Sequence, residues 1–171
     1  MTKKGFTLVE VLVAMVLGLV IMGFGASSFR NTVQRQPVVQ SAEKVNQVLQ
    51  QARSYALAGR KDCGICGCTG LLADRPLIGW EVAMTSSSYT LRGLCGTNPL
   101  APTPFYTSGV QSLPTGVVMT TNPGTAVLFK PLGNGTNLNS DYSVVATMPG
   151  VAAQIVSVSS GGDIKPPVWY P

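Results

Sequence analysis

The chain has 171 residues, a formal net charge of +5 and no histidine. The missing histidine removes Ser-His-Asp and Cys-His catalysis, His-ligated metals and histidine proton transfer. Beyond the N-terminal stretch the acidic residues (Glu43, Asp62, Asp74, Glu81, Asp141, Asp163) are scattered, and no P-loop or G-x-G-x-x-G is present, so neither an enzyme nor a cofactor is expected.

The first thirty residues organise everything after them. Lys3, Lys4 and Gly5 precede Phe6-Thr-Leu-Val-Glu10, and an apolar run follows from Val11 to Ala26. From Phe6 to Phe29 the chain carries one charge, Glu10. As a helix rising about 1.5 Å per residue it reaches roughly 36 Å, enough for a hydrocarbon core of about 30 Å. The two lysines keep the N-terminus cytoplasmic and send the rest outward. An ordinary secretory signal peptide fits poorly, because the apolar segment is long and no A-x-A-like site follows it. A plain anchor explains length and orientation but not Glu10, since a carboxylate near the start of a membrane helix needs a partner.

Lys4-Gly5-Phe6-Thr7-Leu8-Val9-Glu10 resembles the class III signal of type IV pilins and type II secretion pseudopilins. The resemblance implies cleavage after Gly5 by a prepilin peptidase, and methylation of the new amine on Phe6. It implies that Glu10 pairs with the N-terminal amine of a neighbouring subunit during assembly. Other pilin or pseudopilin subunits and an inner-membrane assembly platform are then the partners. The protein would be a single-pass membrane protein before assembly, with its head exported, and afterwards part of a periplasmic or extracellular filament. Cleavage removes Lys3 and Lys4, which takes the basic count from 12 to 10 against 7 acidic side chains, a balance of +3.

Gly18, Gly23 and Gly25 lower helix stability in the apolar run. They suit close packing in the bilayer, and the pilin resemblance adds local unwinding on filament entry. Pro37 is expected to interrupt and kink the helix. Beyond it Val38, Ala42, Val45, Val48/Leu49, Ala52 and Tyr55/Ala56 recur at steps of three and four, one apolar face of an amphipathic helix. Gln40, Glu43, Lys44, Gln47, Gln50, Gln51 and Arg53 form the opposite face. Ala58-Gly59 supplies the stop. The expected segments are a leader over 1–5, an assembly helix over 6–30, an amphipathic helix over 31–60 and a β-rich head over 61–171. The fold class is α+β and pilin-like, a long N-terminal helix packed on an antiparallel sheet.

Cys63-Gly-Ile-Cys66-Gly-Cys68 and Cys95 are the four cysteines. In an exported head they form disulfides. Cys66 and Cys68 are too close to pair, which leaves Cys63 or Cys66 bonded to one of Cys68 and Cys95. The rival is a four-cysteine zinc site, weakened by the absence of a second C-x2-C and by export.

From Pro76 onward the pattern reads as strands: 77–84, 88–92, 116–120, 126–130, 142–147 and 153–158. The prolines at 99, 102 and 104 make 98–112 a loop, and Asn122-Pro-Gly124 joins two strands. The last strand ends at Gly161-Gly162, with at most a short continuation at 163–165. Ala52-Arg-Ser-Tyr-Ala56, Gly79-Trp80-Glu-Val82, Phe129-Lys-Pro-Leu-Gly133 and Val156-Ser-Val-Ser-Ser-Gly161 are similar in order and placement to GspH/FimT-like minor pseudopilins. Some of that family bind DNA through a basic C-terminal region. Here the tail has one lysine and one aspartate, Lys165 and Asp163. Trp169 and Tyr170 could stack on bases, but an aromatic tail more often packs on its own domain or on a neighbour.

The function expected is therefore a structural subunit, a minor pilin or pseudopilin of a type IV pilus or type II secretion-like filament. The alternatives are a major pilin, an anchored head with no filament role, and a DNA-binding minor pilin acting in DNA uptake. The last would use Arg60, Lys61, Arg75, Arg92 or Lys130 on a common patch.

Overall fold

A computed structural model describes residues 7–68 and 75–170, with side chains described outside 23–32. The leader at 1–5 and the Gly5/Phe6 junction lie outside the described residues. Two compact units are present, Met1–Gln36 and Pro37–Pro171.

Helix α1 runs Leu8–Leu57 with Pro37 inside it. The expected interruption at Pro37 does not occur. Proline removes one i→i−4 bond, the one to the carbonyl of Val33, and the turns on either side remain helical. Ser41 Oγ donates to Pro37 O at 2.7 Å, and Val38, Ala42 and Val45 are fixed in the core directly after the proline. The helix ends as the Ala58-Gly59 pair suggests. Gly59, at φ +60°, donates to Ala56 O at 3.0 Å, and Arg60 N–H reaches back to Tyr55 O at 3.0 Å. These are the paired bonds of a Schellman cap, for which a left-handed residue without a Cβ is favoured.

In the first unit the described apolar side chains of α1, from Leu8 to Met22, are exposed on every side, for example Leu8, Leu12, Met15 and Leu19. Among the described residues no helix is long and apolar enough to cross a membrane. The stretch expected to do so, 6–29, extends into positions whose side chains lie outside the described set.

In the second unit α1 buries the face that the spacing picks out: Val38, Ala42, Val45, Leu49, Ala52 and Ala56 are all at most 2% exposed. A four-residue helix, α2 (Cys63–Cys66), follows, and then, among the described residues, nine strands: β1 (Leu77–Met84), β2 (Ser88–Cys95), β3 (Thr103–Thr107), β4 (Gln111–Ser112), β5 (Val118–Asn122), β6 (Ala126–Phe129), β7 (Tyr142–Met148), β8 (Val151–Val158) and β9 (Ile164–Tyr170). They form two sheets where one was expected. The first has order β3-β2-β1-β6 with β4 also on β2, and the second has order β5-β7-β8-β9. All pairings are antiparallel. The chain changes sheets at Asn122-Pro-Gly124, so β5 and β6 are consecutive without being partners. One core cluster takes side chains from α1 and from both sheets, with Trp80, Val82 and Phe129 from the first and Tyr142, Val144 and Val156 from the second.

Two expected non-strand regions are strands, and proline explains both errors. The 98–112 segment contributes β3 and β4, with Pro104 in β3 on the edge of the first sheet. The tail forms β9, the edge of the second sheet, instead of stopping near 165. Its register jumps from Ser157↔Lys165 to Ile155↔Val168, so Pro166 and Pro167 face the single residue Val156. An edge bulge needs no ladder N–H from either proline.

Candidate functional site

The described part of the N-terminal signature begins at Thr7. Its Oγ1 accepts from the N–H of Glu10 at 3.3 Å, and its carbonyl accepts from Val11 N–H at 3.3 Å. Thr7 is thus the N-cap of α1 and Glu10 the third residue of its first turn. The T-x-x-E spacing that marks such a start is in the sequence, but the capping role of Thr7 went unread beside the cleavage motif. Glu10 is exposed, and its carboxylate stands at the positive end of the helix dipole. Gly5 and Phe6 lie outside the described residues.

A second constellation lies in the head and was missed as a site by sequence reasoning. Trp80 on β1 pairs with Gly93 on β2, and Gly93 pairs with Tyr106 on β3. Between Gly93 and Leu94 the β2–β3 register shifts, and Phe105 is the extra residue on β3. A bulge lets consecutive side chains reach one face. Phe105 and Tyr106 accordingly both meet the indole, at ring centroids of 5.4 and 5.3 Å. Tyr55, from the last turns of α1, closes on it at 4.7 Å. The indole Nε1 donates to Arg60 O at 2.9 Å, and the Arg60 guanidinium lies 4.6 Å above the Tyr55 ring. These aromatics, with Arg60, Lys61 and Asp62, line a cavity of about 410 Å³. The signal available in the sequence was Phe105-Tyr106 between prolines, a segment read as loop.

Cys63 borders this cavity. Cys63 bonds Cys68, and Cys66 bonds Cys95, one of the maps left open by the spacing. With every sulfur in a disulfide, no thiolate is left to bind zinc. Cys66 and Cys95 are fully buried, and their bridge fastens α2 to the end of β2. Asp62 caps α2, its side chain accepting from Gly64 N–H at 2.8 Å.

The five basic residues proposed as a common patch do not share one cavity. Arg60 and Lys61 line the aromatic one. Arg92 lines another beside Leu94 and Pro104, with Glu81 at 4.0 Å, and it points away from the face that carries Gly93 because strand neighbours alternate. Lys130 lines a third with Gly133 and Gly161. Arg75 donates to Thr103 Oγ1 at 3.3 Å.

A capped N-terminal helix, apolar at its start and packed further along on an antiparallel β head, is a pilin-like fold. The model of the prokaryotic N-terminal methylation motif matches residues 1–26. The model of type II transport protein GspH matches residues 41–162, most of the chain, and the chain belongs to that family. It is a structural subunit of the minor pilin and pseudopilin class, built to assemble with other pilin-type subunits. Two crystal forms of the type IV minor pilin FimU from Pseudomonas aeruginosa share the fold. One has a TM-score of 0.54 at 14% identity, covering 79% of this chain and 91% of that one. The other has 0.50 at 14% identity, covering 77% and 91%. Comparison with curated proteins returned no match.

Proposed function

We propose that this chain is made as a prepilin, cut after Gly5 by a prepilin peptidase and methylated on the amine of Phe6. Residues 1–5 are the leader, and 6–30 form the membrane and assembly helix. The 31–60 segment carries that helix into the head, and 61–171 form the head with its tail. The N-terminus is cytoplasmic and the head is exported before an assembly platform moves the subunit into a filament. There Glu10 pairs with the N-terminal amine of a neighbour.

The observation that carries this reading is the surface of α1 around Glu10. The apolar side chains of the first described turns face outward all round, and the one carboxylate among them is exposed. A helix apolar on all sides is stable only in lipid or inside an assembly. A carboxylate in either place needs a cation, because an unpaired buried charge costs several kcal/mol.

The test is Glu10→Ala in cells that make the filament. The variant is expected in the membrane fraction at wild-type level and absent from sheared filaments, whereas normal incorporation would remove the proposed pairing. Intact mass of the native protein should start at methylated Phe6. A chain beginning at Met1 or Thr2 with an unmodified amine would overturn the processing.

A further inference from the structure

The aromatic cavity of the head has features that packing alone does not require. Arg60 is fixed by its own backbone, whose carbonyl accepts from Trp80 Nε1, and by its guanidinium over Tyr55. Among the described residues that guanidinium pairs with no carboxylate. The Asp62 carboxylate lines the same cavity and accepts from Gly64 N–H, and Lys61 adds a second cation there. A fork of N–H donors is therefore held ready at the cavity, and such a fork matches a carboxylate in two parallel bonds. The volume, about 410 Å³, falls in the range of about 300–1,000 Å³ used for small ligands.

Tyr106 also lines a second, neighbouring cavity of about 250 Å³. The second cavity is neutral in character apart from Lys44. Gln47, Gln51 and Gln111 line it with amides, of which Gln51 donates one N–H to Tyr55 OH and Gln111 one to Gly109 O, while the Ser108 hydroxyl is taken up by Leu91 N–H and Gly109 O. Tyr106 is 44% exposed, so part of its ring is open to a ligand. The groove thus offers a cationic fork at one end, an aromatic face in the middle, and glutamine amides with Lys44 at the other end. We propose that this groove binds an acidic oligosaccharide, a carboxylate on Arg60 and the C–H face of a sugar ring against Tyr106, with hydroxyls on the glutamines. The partly positive C–H edges of a pyranose complement the negative face of an aromatic ring, and amides both donate to and accept from hydroxyls. A nucleic acid strand fits less well. It needs a longer row of cations along its phosphates than Arg60, Lys61 and Lys44 make, and Arg92 and Lys130 line other cavities.

The test uses the full chain in detergent micelles, titrated calorimetrically with tetragalacturonate, neutral maltotetraose and an oligothymidylate. Tetragalacturonate is expected to bind with Kd below about 1 mM, and the neutral sugar at least about tenfold more weakly. R60Q and Y106A should each weaken the uronate about tenfold or more. K130Q, outside the groove, should leave it unchanged, and circular dichroism should show all three variants folded. Y106A decides the matter if R60Q does not fold. The proposal fails if no heat appears up to about 10 mM uronate, if neutral and acidic sugars bind alike, or if both groove variants bind as wild type. It also fails if K130Q loses as much as R60Q, or if oligothymidylate binds tighter than the uronate.

Discussion

The ring of Phe105 fills the space that a side chain on Gly93 would enter. A Cβ built on Gly93 collides with Cζ of that ring and comes within 2.7 Å of Cε2 and 2.9 Å of Cε1. Glycine at this strand position is therefore a packing requirement of the aromatic cluster around Trp80.

Gly93→Ala is expected to destabilise the head by about 1–3 kcal/mol, the usual cost of overpacking. In a Phe105→Ala background the same substitution should cost clearly less, because the obstructing ring is gone. A double-mutant cycle from urea unfolding of the full chain in detergent measures the coupling. Equal costs in both backgrounds would show that the ring is not what Gly93 accommodates.

The two disulfides should contribute unequally. Cys66–Cys95 is buried and closes a span of 29 residues, while Cys63–Cys68 has exposed ends and spans 5. Chain-entropy reasoning gives about 4 kcal/mol for the first and about 2 kcal/mol for the second. Cys66→Ala with Cys95→Ala should therefore lower the unfolding midpoint more than Cys63→Ala with Cys68→Ala. Mild reductant should open the 63–68 bridge first, read by alkylation and peptide mass. Earlier opening of 66–95 would contradict the burial argument.

Much of this architecture was written in local patterns. The three- and four-residue steps after Pro37 place Val38 to Ala56 in the core because a helix has only one face to bury. The alternation at 77–84 and 142–147 gives β1 and β7 for the same reason. The errors arose where tertiary pairing overrode a local signal. Pro104, Pro166 and Pro167 read as strand breakers, but at a sheet edge or in a bulge a missing N–H removes no ladder bond. Pro37 read as a helix break, but the residues on either side of it are helical, and Val38, Ala42 and Val45 directly after it are buried in the core. The division into two sheets was not legible, since nothing local at Asn122-Pro-Gly124 says that its flanking strands choose different partners. The aromatic cavity depends on a register shift between β2 and β3, which is a property of two strands and of neither sequence alone.

Alkaline pH gives a separate handle on the core. Tyr142 is fully buried on β7, and its hydroxyl contacts Met84 Sδ at 3.8 Å. Burial raises its phenol pKa above the ordinary 10.0, partly offset by a hydrogen bond with Thr121; Tyr89 is raised by burial as well. The charged form is the deprotonated one, so the folded protein holds the proton to higher pH than the unfolded chain does. Stability from this group is complete below pH 10 and is lost as pH rises through the raised folded value. Tyr142→Phe removes the titrating group. It should cost about 1 kcal/mol near neutrality, where the hydroxyl loses its contacts with Met84 Sδ and Thr121. As pH rises past 10.0 its urea midpoint should fall less steeply than wild type, with the residual slope carried in part by Tyr89. Parallel slopes for the two proteins would mean that Tyr142 ionises as readily in the fold as in the unfolded chain.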